Sequence, residues 1–312
     1  MMYFTRQTQE IQGTMKIQLI FNPHSGRGRG MKSYPEIHKA LRKTGHEVIP
    51  HRTIYRFHAT EIVKSLNLYE TDILVSVGGD GTLFEVVNGL MNNPGKKIPP
   101  VAVVPVGTGN SFVKDLNIFT MEEGIKSIIR NISRPVDVVS FTAENSHYYF
   151  INNLGFGFVA DVSVSSEPMK KRGLGYTAYA LGVLREIARL RSHELTLDID
   201  GKKYHHKANF CYFCNSVWVG GNMKISPNSV MDDGEIEIMV LNEISRRELL
   251  KTFPKVFKGT HITHPSVVVY RGKHIKASTI PDKFCNPDGE IFGVTPLEVK
   301  VLPSALQFCT LE

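Results

Sequence analysis

Through the first 135 residues, short apolar runs alternate with stretches whose apolar positions repeat at helical spacing. MKIQLIF (15–21) reads as a strand and runs into NPHSGRGRG, a loop with three glycines and two arginines. In YPEIHKALRKTG, Tyr34, Ile37, His38 and Leu41 share one helical face, and Gly45 stands where a helix commonly stops. HEVIPHRT (46–53) reads as a strand, HATEIVKSLN (58–67) as a helix and DILVSVGG (72–79) as a buried strand, after which a helix opens near Thr82. VAVVPVG (101–107) is a further strand leading into a glycine turn and a helix. Strands apolar along their whole length need cover on both faces, so the alternation predicts a parallel sheet wrapped by helices.

The pattern changes near Pro135. HYYFINNLGF, ELTLDID, KANFCYFCNSVWV, GEIEIMVL, PSVVVYRG and LEVKVLP are short strands, several alternating apolar with polar residues. Turn signals such as Asp233-Gly234 and Asp288-Gly289 space them, and one long helical stretch, roughly 174–192, interrupts them. There is no internal repeat. The reading is an α/β domain over residues 15–136, then a mainly antiparallel β-rich domain over 137–303, after a loose tail of residues 1–14.

Length agrees with that division, since 312 residues at roughly 150 per domain favour two. The 42% hydrophobic and 21% charged content excludes disorder and a collagen-like repeat. Cys211, Cys214, Cys285 and Cys309 are too few and too scattered for a disulfide scaffold, which points to a reducing cytosol. Cys211 and Cys214 lie three apart in a strand-like run and so face opposite sides, which favours structural cysteines over a zinc half-site. His205-His206 and His261-x-x-His264 lack a third ligand at recognisable spacing and read as surface loops. The net charge of +7 favours anionic partners, nucleotides or acidic lipid surfaces, while no aromatic-basic platform supports nucleic acid. No apolar run approaches the roughly 18 residues a spanning helix needs, and the first 14 residues lack the apolar stretch of a secretory signal.

Chemistry concentrates in three glycine-bearing loops, each following a strand: Asn22–Gly26, Gly78–Thr82 and Gly107–Asn110. Loops at the C-terminal ends of parallel strands converge on one crevice. Glycines let backbone N–H groups approach a polyphosphate, and a helix start adds donors and a favourable dipole. Asp80 is a carboxylate beside those phosphates. It would repel bare phosphate, so it makes sense there as a magnesium ligand or a proton acceptor.

VSVGGDGTLFEVVNGL (75–90), VAVVPVGTGNSF (101–112), NNLGFGFVADVSVSSE (152–167), SPNSVMDDGEIEIMV (226–240), NPDGE (286–290) and LEVKVLPSAL (297–306) resemble, in order, the diacylglycerol kinase catalytic family, which also holds sphingosine and ceramide kinases. GGDGT is shared with NAD kinases and phosphofructokinases, whereas the DDGEIEI and DGE segments narrow the resemblance to lipid kinases. It implies a Rossmann-like, phosphofructokinase-like nucleotide domain, then a β-sandwich lipid domain, with residues 304–312 returning to the first. It implies ATP as phosphate donor, Mg²⁺, and a lipid hydroxyl as acceptor at a membrane surface. The expected protein is cytoplasmic, peripherally membrane-associated and free of nucleic acid, and a homodimer is compatible with it. By resemblance, Asn22, Pro23, His24, Ser25, Gly26, Thr53, Gly79, Asp80, Gly81, Thr82, Leu83, Phe84, Glu85 and Thr108 bind ATP. Asp80 and Glu290 are the catalytic carboxylates, Asp161 meets the lipid head group, and Val230, Asp233 and Glu235 hold a second, structural metal. The family's soluble bacterial members usually read GTxND where this chain has Gly109-Asn110-Ser111, which removes an aspartate from the charge network. Two rival readings stay open: a soluble kinase of the NAD kinase type, and a non-catalytic nucleotide- and lipid-binding module.

Overall fold

The computed structural model describes residues 13–95, 97–144, 146–171, 182–183 and 185–312. Residues 174–181 and 184 of the helix read over 174–192 fall outside them, as does most of the N-terminal tail.

The first domain alternates β1 (Lys16–Phe21), α1 (Ser25–Lys43), β2 (Glu47–Arg52), α2 (His58–Ser65), β3 (Ile73–Gly78), α3 (Asp80–Met91), β4 (Val101–Pro105) and α4 (Met121–Arg130). The strands are parallel in the order β2-β1-β3-β4. Their two-residue period sorts the apolar side chains into two cores. Ile17, Leu19, Phe21, Ile73, Val75, Val77, Ala102 and Val104 face Ile37 and Leu41 of α1 and Ile125 and Ile128 of α4. Ile20, Leu74, Val101 and Val103 face Ala59 and Val63 of α2 and Leu83, Val86, Val87 and Leu90 of α3. All six residues of β3 are therefore buried, which is why this stretch shows no polar alternation. α4 starts at a capping box, in which Thr120 accepts from the Glu123 amide at 3.1 Å and Glu123 accepts from the Thr120 amide at 2.9 Å.

The second domain comprises β5 (Ile132–Ala143), β6 (Ser146–Phe150), β7 (Asn153–Gly157), α5 (Phe158–Lys171), β8 (His193–Ile199), β9 (Lys202–Cys214), β10 (Trp218–Val219), β11 (Met223–Lys224), β12 (Ile236–Asn242), α6 (Arg246–Thr252), β13 (Val267–Gly272), β14 (His274–Ile280), β15 (Cys285–Pro287) and β16 (Leu297–Thr310). Its strand pairings within this domain, other than contacts to β4, are antiparallel. Strands β5–β9, β12, β14 and β16 turn one face toward a shared core of Phe141, Phe150, Phe156, Phe213, Ile238 and Val299. The opposite faces of β9 and β12 pack against α5 and α6 through Phe158, Val162, Phe210, Tyr212, Met239 and Leu249. Cys211 belongs to the first of these cores and Cys214 to the second, and all four cysteines are buried and unbonded.

Three features add to or correct the sequence reading. β14 alternates with full regularity, but its buried positions include Ala277 and Thr279 and so look weakly apolar. β5 crosses the expected boundary at Pro135, and β16 pairs with it along most of its length before Phe308 pairs in parallel with Val101 of β4. β16 thus joins both domains in one hydrogen-bonded sheet. Finally, His205 and His206 lie in β9 and His261 is buried, so the surface-loop reading of these histidines is corrected. A buried Asn88 on α3 stitches the domains, donating to the Tyr149 carbonyl at 2.8 Å and accepting from the Tyr149 amide at 3.0 Å.

Candidate active site

The three glycine loops converge. Gly107 lies so close to Gly79 that a Cβ on Gly107 would stand 2.3 Å from the Gly79 Cα, and a Cβ on Gly26 would stand 2.0 Å from the Val106 carbonyl oxygen. Gly26 also has a φ of 59°, a left-handed value that favours glycine. Arg29 clamps the arrangement by donating to the carbonyls of Gly26 and Gly107. Asn22 donates to the Thr82 hydroxyl at 3.3 Å, tying the first loop to the second. Between the loops and the Asp288–Ile291 segment of the second domain lies a cleft of about 930 Å³, within the range of small-molecule sites.

Of the residues expected to bind ATP, Asn22, His24, Ser25, Gly26, Thr53, Gly79, Asp80, Gly81, Thr82, Glu85 and Thr108 line this cleft. Pro23, Leu83 and Phe84 do not. Leu83 faces the core under α2 and Phe84 packs on Phe292 with ring centroids 5.6 Å apart, because on a helix starting at Asp80 the cleft face recurs at Gly81 and Glu85. Gly107 and Gly109 of the third expected glycine loop also line it, whereas sequence reasoning missed Ile54, Tyr55, Arg56, Ser163, Val164, Asp288, Gly289 and Ile291.

Asp80 opens α3, and its carboxylate caps the short 3₁₀ turn Phe112–Lys114, accepting from the Ser111 amide at 2.8 Å and the Phe112 amide at 3.3 Å. Burial pushes its pKa up, and these amides oppose the rise. The backbone of Ser111 thus holds Asp80, while its hydroxyl accepts from the Gly221 amide at 3.1 Å. Asp288 accepts three amides, from Ile151, Asn152 and Asn153 at 3.0–3.3 Å. Burial, with a contribution from the Asp80 charge, pushes Asp288 up to about 7. Glu85 accepts from the Ala59 amide at 3.1 Å and is raised mainly by burial. Glu290 pairs with Arg56. Four carboxylates and one guanidinium therefore face the cleft, a negative excess that fits a divalent cation arriving with a polyphosphate.

Asp161 is half-buried on α5, its pKa raised by burial against the opposing charge of Lys283. It does not line the cleft, but α5 connects two environments: Ser163 and Val164 face the cleft, while Phe158, Val159 and Val162 line an apolar cavity with Phe210, Leu249 and Val256. That cavity holds about 60 Å³ as it stands. His261, 3% exposed, lines it, with Nδ1 lacking a partner among the described residues.

Val230, Asp233 and Glu235 share one loop. The Asp233 carboxylate there is paired with Arg271, whose guanidinium also lies 3.4 Å from Glu235, and accepts from the Glu235 amide at 3.0 Å. The Arg271 guanidinium already answers the charge of both carboxylates, so this loop needs no divalent ion for charge balance. Among the described residues no group of three or more His, Cys, Asp and Glu side chains could hold a metal. No helix among them is long and apolar enough to cross a membrane.

Comparison with known proteins supplies the family. The diacylglycerol kinase catalytic domain matches residues 16–141, and the YegS C-terminal NAD kinase beta sandwich-like domain matches residues 153–310. A diacylglycerol kinase of Bacillus subtilis (strain 168) is 30% identical over 286 residues, covering 91% of this chain and 92% of the relative. One from Staphylococcus haemolyticus (strain JCSC1435) is 26% identical, covering 94% and 87%. A crystal structure of a candidate diacylglycerol kinase from Bacillus anthracis str. Sterne superposes with a TM-score of 0.80 at 26% identity, covering 96% of this chain and 98% of that one.

Proposed function

This chain belongs to the diacylglycerol kinase catalytic family, and from that membership we propose that it transfers the γ-phosphoryl group of ATP to the hydroxyl of diacylglycerol or a sphingoid-type lipid. The observation that carries the reading is the placement of α5, with one face on the polar cleft and another on the apolar cavity. An acceptor with a polar head and an apolar tail suits both at once, with Asp161 beside the head group. The acyl tail would part the side chains of the cavity, which is small as it stands.

ATP would lie across the glycine loops, its phosphates meeting the amides at the start of α3. Magnesium bound with the nucleotide would be held by Asp80 and Asp288 and would spread the charge developing on the transferred group. The γ-phosphorus exchanges its bond to the bridging oxygen, which departs on ADP, for a bond to the acceptor oxygen. The acceptor proton passes to Asp80 or Glu290, the cleft carboxylates expected to act as base. No step runs through Asp233. As a member of a cytoplasmic enzyme class acting on membrane lipid, the protein would work at the bilayer surface.

The test is transfer of labelled γ-phosphate from ATP and Mg²⁺ to diacylglycerol, sphingosine, ceramide and NAD, with the lipids in mixed micelles, comparing wild type with Asp80→Asn and Glu290→Gln. A labelled lipid that vanishes in Asp80→Asn, with the melting temperature kept, is the expected result. Labelled NAD in place of lipid would shift the reading to the NAD kinase type, and ATP binding with no acceptor labelled would favour the binding module.

A further inference from the structure

Charge bookkeeping in the cleft points to a residue that the family resemblance did not supply. Asp80, Glu85, Asp288 and Glu290 line it, and the one lysine or arginine among the described lining residues is Arg56. Two neighbouring cations are engaged elsewhere: Arg29 donates to the carbonyls of Gly26 and Gly107, and Lys114 donates to the Gly221 carbonyl and to Asn222. A triphosphate entering this cleft meets four carboxylates, and Arg56 is the one lysine or arginine among the described lining residues to answer its charge.

The position of Arg56 suits that task. It lies on the loop between β2 and α2, and its side chain is 60% exposed, so it can turn without a desolvation cost. Its guanidinium rests 4.9 Å from the ring centroid of Phe57 on its own loop and 5.8 Å from that of Phe292 on the Glu290 loop, contacts that orient a planar cation. Glu290, its ion-pair partner, reaches the start of α3: a Cβ on Gly81 would lie 3.5 Å from Glu290 Oε1. Arg56 is therefore one carboxylate away from the helix N-terminus where a terminal phosphate would be cradled.

We propose that Arg56 is the side-chain cation for the terminal phosphate, held in place by Glu290 until nucleotide binds and then shared with the γ-phosphoryl group. The proposal rests on the kinase reading above and deepens it. A guanidinium offers a bidentate fork to phosphate oxygens and stabilises charge that grows as the phosphoryl group leaves ADP.

The experiment has two arms on the full chain. In the first, affinities for MgATP and MgADP are measured by calorimetry for wild type, Arg56→Lys and Arg56→Ala. The expected result is a preference for ATP over ADP that falls on the order of tenfold in Arg56→Ala, with ADP affinity unchanged, because only the terminal phosphate loses a partner. In the second arm, lipid phosphorylation by Arg56→Ala should show kcat down on the order of 10²-fold with the KM for lipid preserved. Added guanidinium should restore part of it, and Arg56→Lys should fall between. An unchanged ATP-to-ADP preference would overturn the proposal. So would a kcat loss that guanidinium leaves untouched in a protein of unchanged melting temperature. The first arm needs no acceptor, so absence of lipid kinase activity in wild type would sink the kinase reading and still leave Arg56 decided.

Discussion

Asp115→Asn should make this protein more stable, and only at neutral or alkaline pH. Asp115 follows the 3₁₀ turn Phe112–Lys114, and its carboxylate accepts from the Val217 amide at 3.1 Å, bridging the two domains. Burial dominates its titration and pushes it up to about 7, well above the ordinary carboxylate range, against the opposing hydrogen bonds of Val217 and Trp218 and the charges of Arg134 and Lys114. Below pH 4 the group is protonated in folded and unfolded chains alike, and its burial carries no ionisation penalty. Between about pH 4 and pH 7 the unfolded chain releases the proton while the folded chain keeps it, so stability falls by about 1.4 kcal/mol per pH unit. Over roughly three such units the loss approaches about 4 kcal/mol and is complete above pH 7. An asparagine keeps an oxygen for the Val217 amide and removes the titration, at a cost of about 1 kcal/mol in weaker hydrogen bonding. The net gain at pH 8 is then about 3 kcal/mol, or about 6 °C at a slope near 2 °C per kcal/mol for a chain of this size. Thermal unfolding of both proteins by circular dichroism at pH 5 and pH 8, without nucleotide, measures it. A variant that melts lower than wild type at pH 8, or that differs by the same amount at both pH values, refutes the reasoning and makes the Asp115 charge a stabilising one.

Other expectations follow from specific contacts. Gly107→Ala forces a Cβ to within 2.3 Å of the Gly79 Cα, so the loops must part; nucleotide affinity should fall by on the order of tenfold or more in a titration calorimeter, and unchanged affinity would mean that the loops do not cradle phosphates. Val162→Trp fills the apolar cavity beside α5, and the KM for a long-chain diacylglycerol should rise about tenfold while MgATP affinity stays put; equal KM values would place the acyl tail elsewhere. Chelation with EDTA should stop phosphate transfer yet move the melting temperature by less than about 1 °C, since Asp233 already pairs with Arg271. A drop of several degrees would establish a structural metal at that loop.

What the sequence disclosed and what it hid divide along physical lines. The glycine loops were legible because close backbone approach excludes other residues: Gly107 and Gly26 stand where a single Cβ would collide. The strands of the first domain were legible because burial on both faces erases polar alternation, as in β3. α5 was not read as a helix. Its opening, FVADVSVSS, is rich in β-branched and hydroxyl side chains of poor helix propensity, and packing on β7, β9 and β15 overrides that preference. With the helix went its bridging role, so Ser163 and Val164 were missed in the cleft.

The Ser111 departure carries the most instructive mismatch between side-chain spelling and structure. Read as letters, the change from GTxND removes an acid and weakens the site. In the structure the main chain supplies most of the hold on Asp80, through the amides of Ser111 and Phe112, and the Ser111 hydroxyl adds a side-chain hydrogen bond to the same carboxylate. That hydroxyl also accepts from the Gly221 amide on the second domain, where it joins Asp115 and Asn88 among the contacts between the domains. A backbone cap survives substitution, but a charge network does not. The acid lost at residue 111 is consistent with a site that must balance four carboxylates against one arginine: a fifth carboxylate would demand a further cation, and Arg29 and Lys114 already serve carbonyls. Ser111→Asp, which restores the common spelling, should therefore weaken nucleotide binding in this chain unless Mg²⁺ is raised, and tighter MgATP binding by that variant at constant Mg²⁺ would show that the cleft is short of negative charge, not of positive.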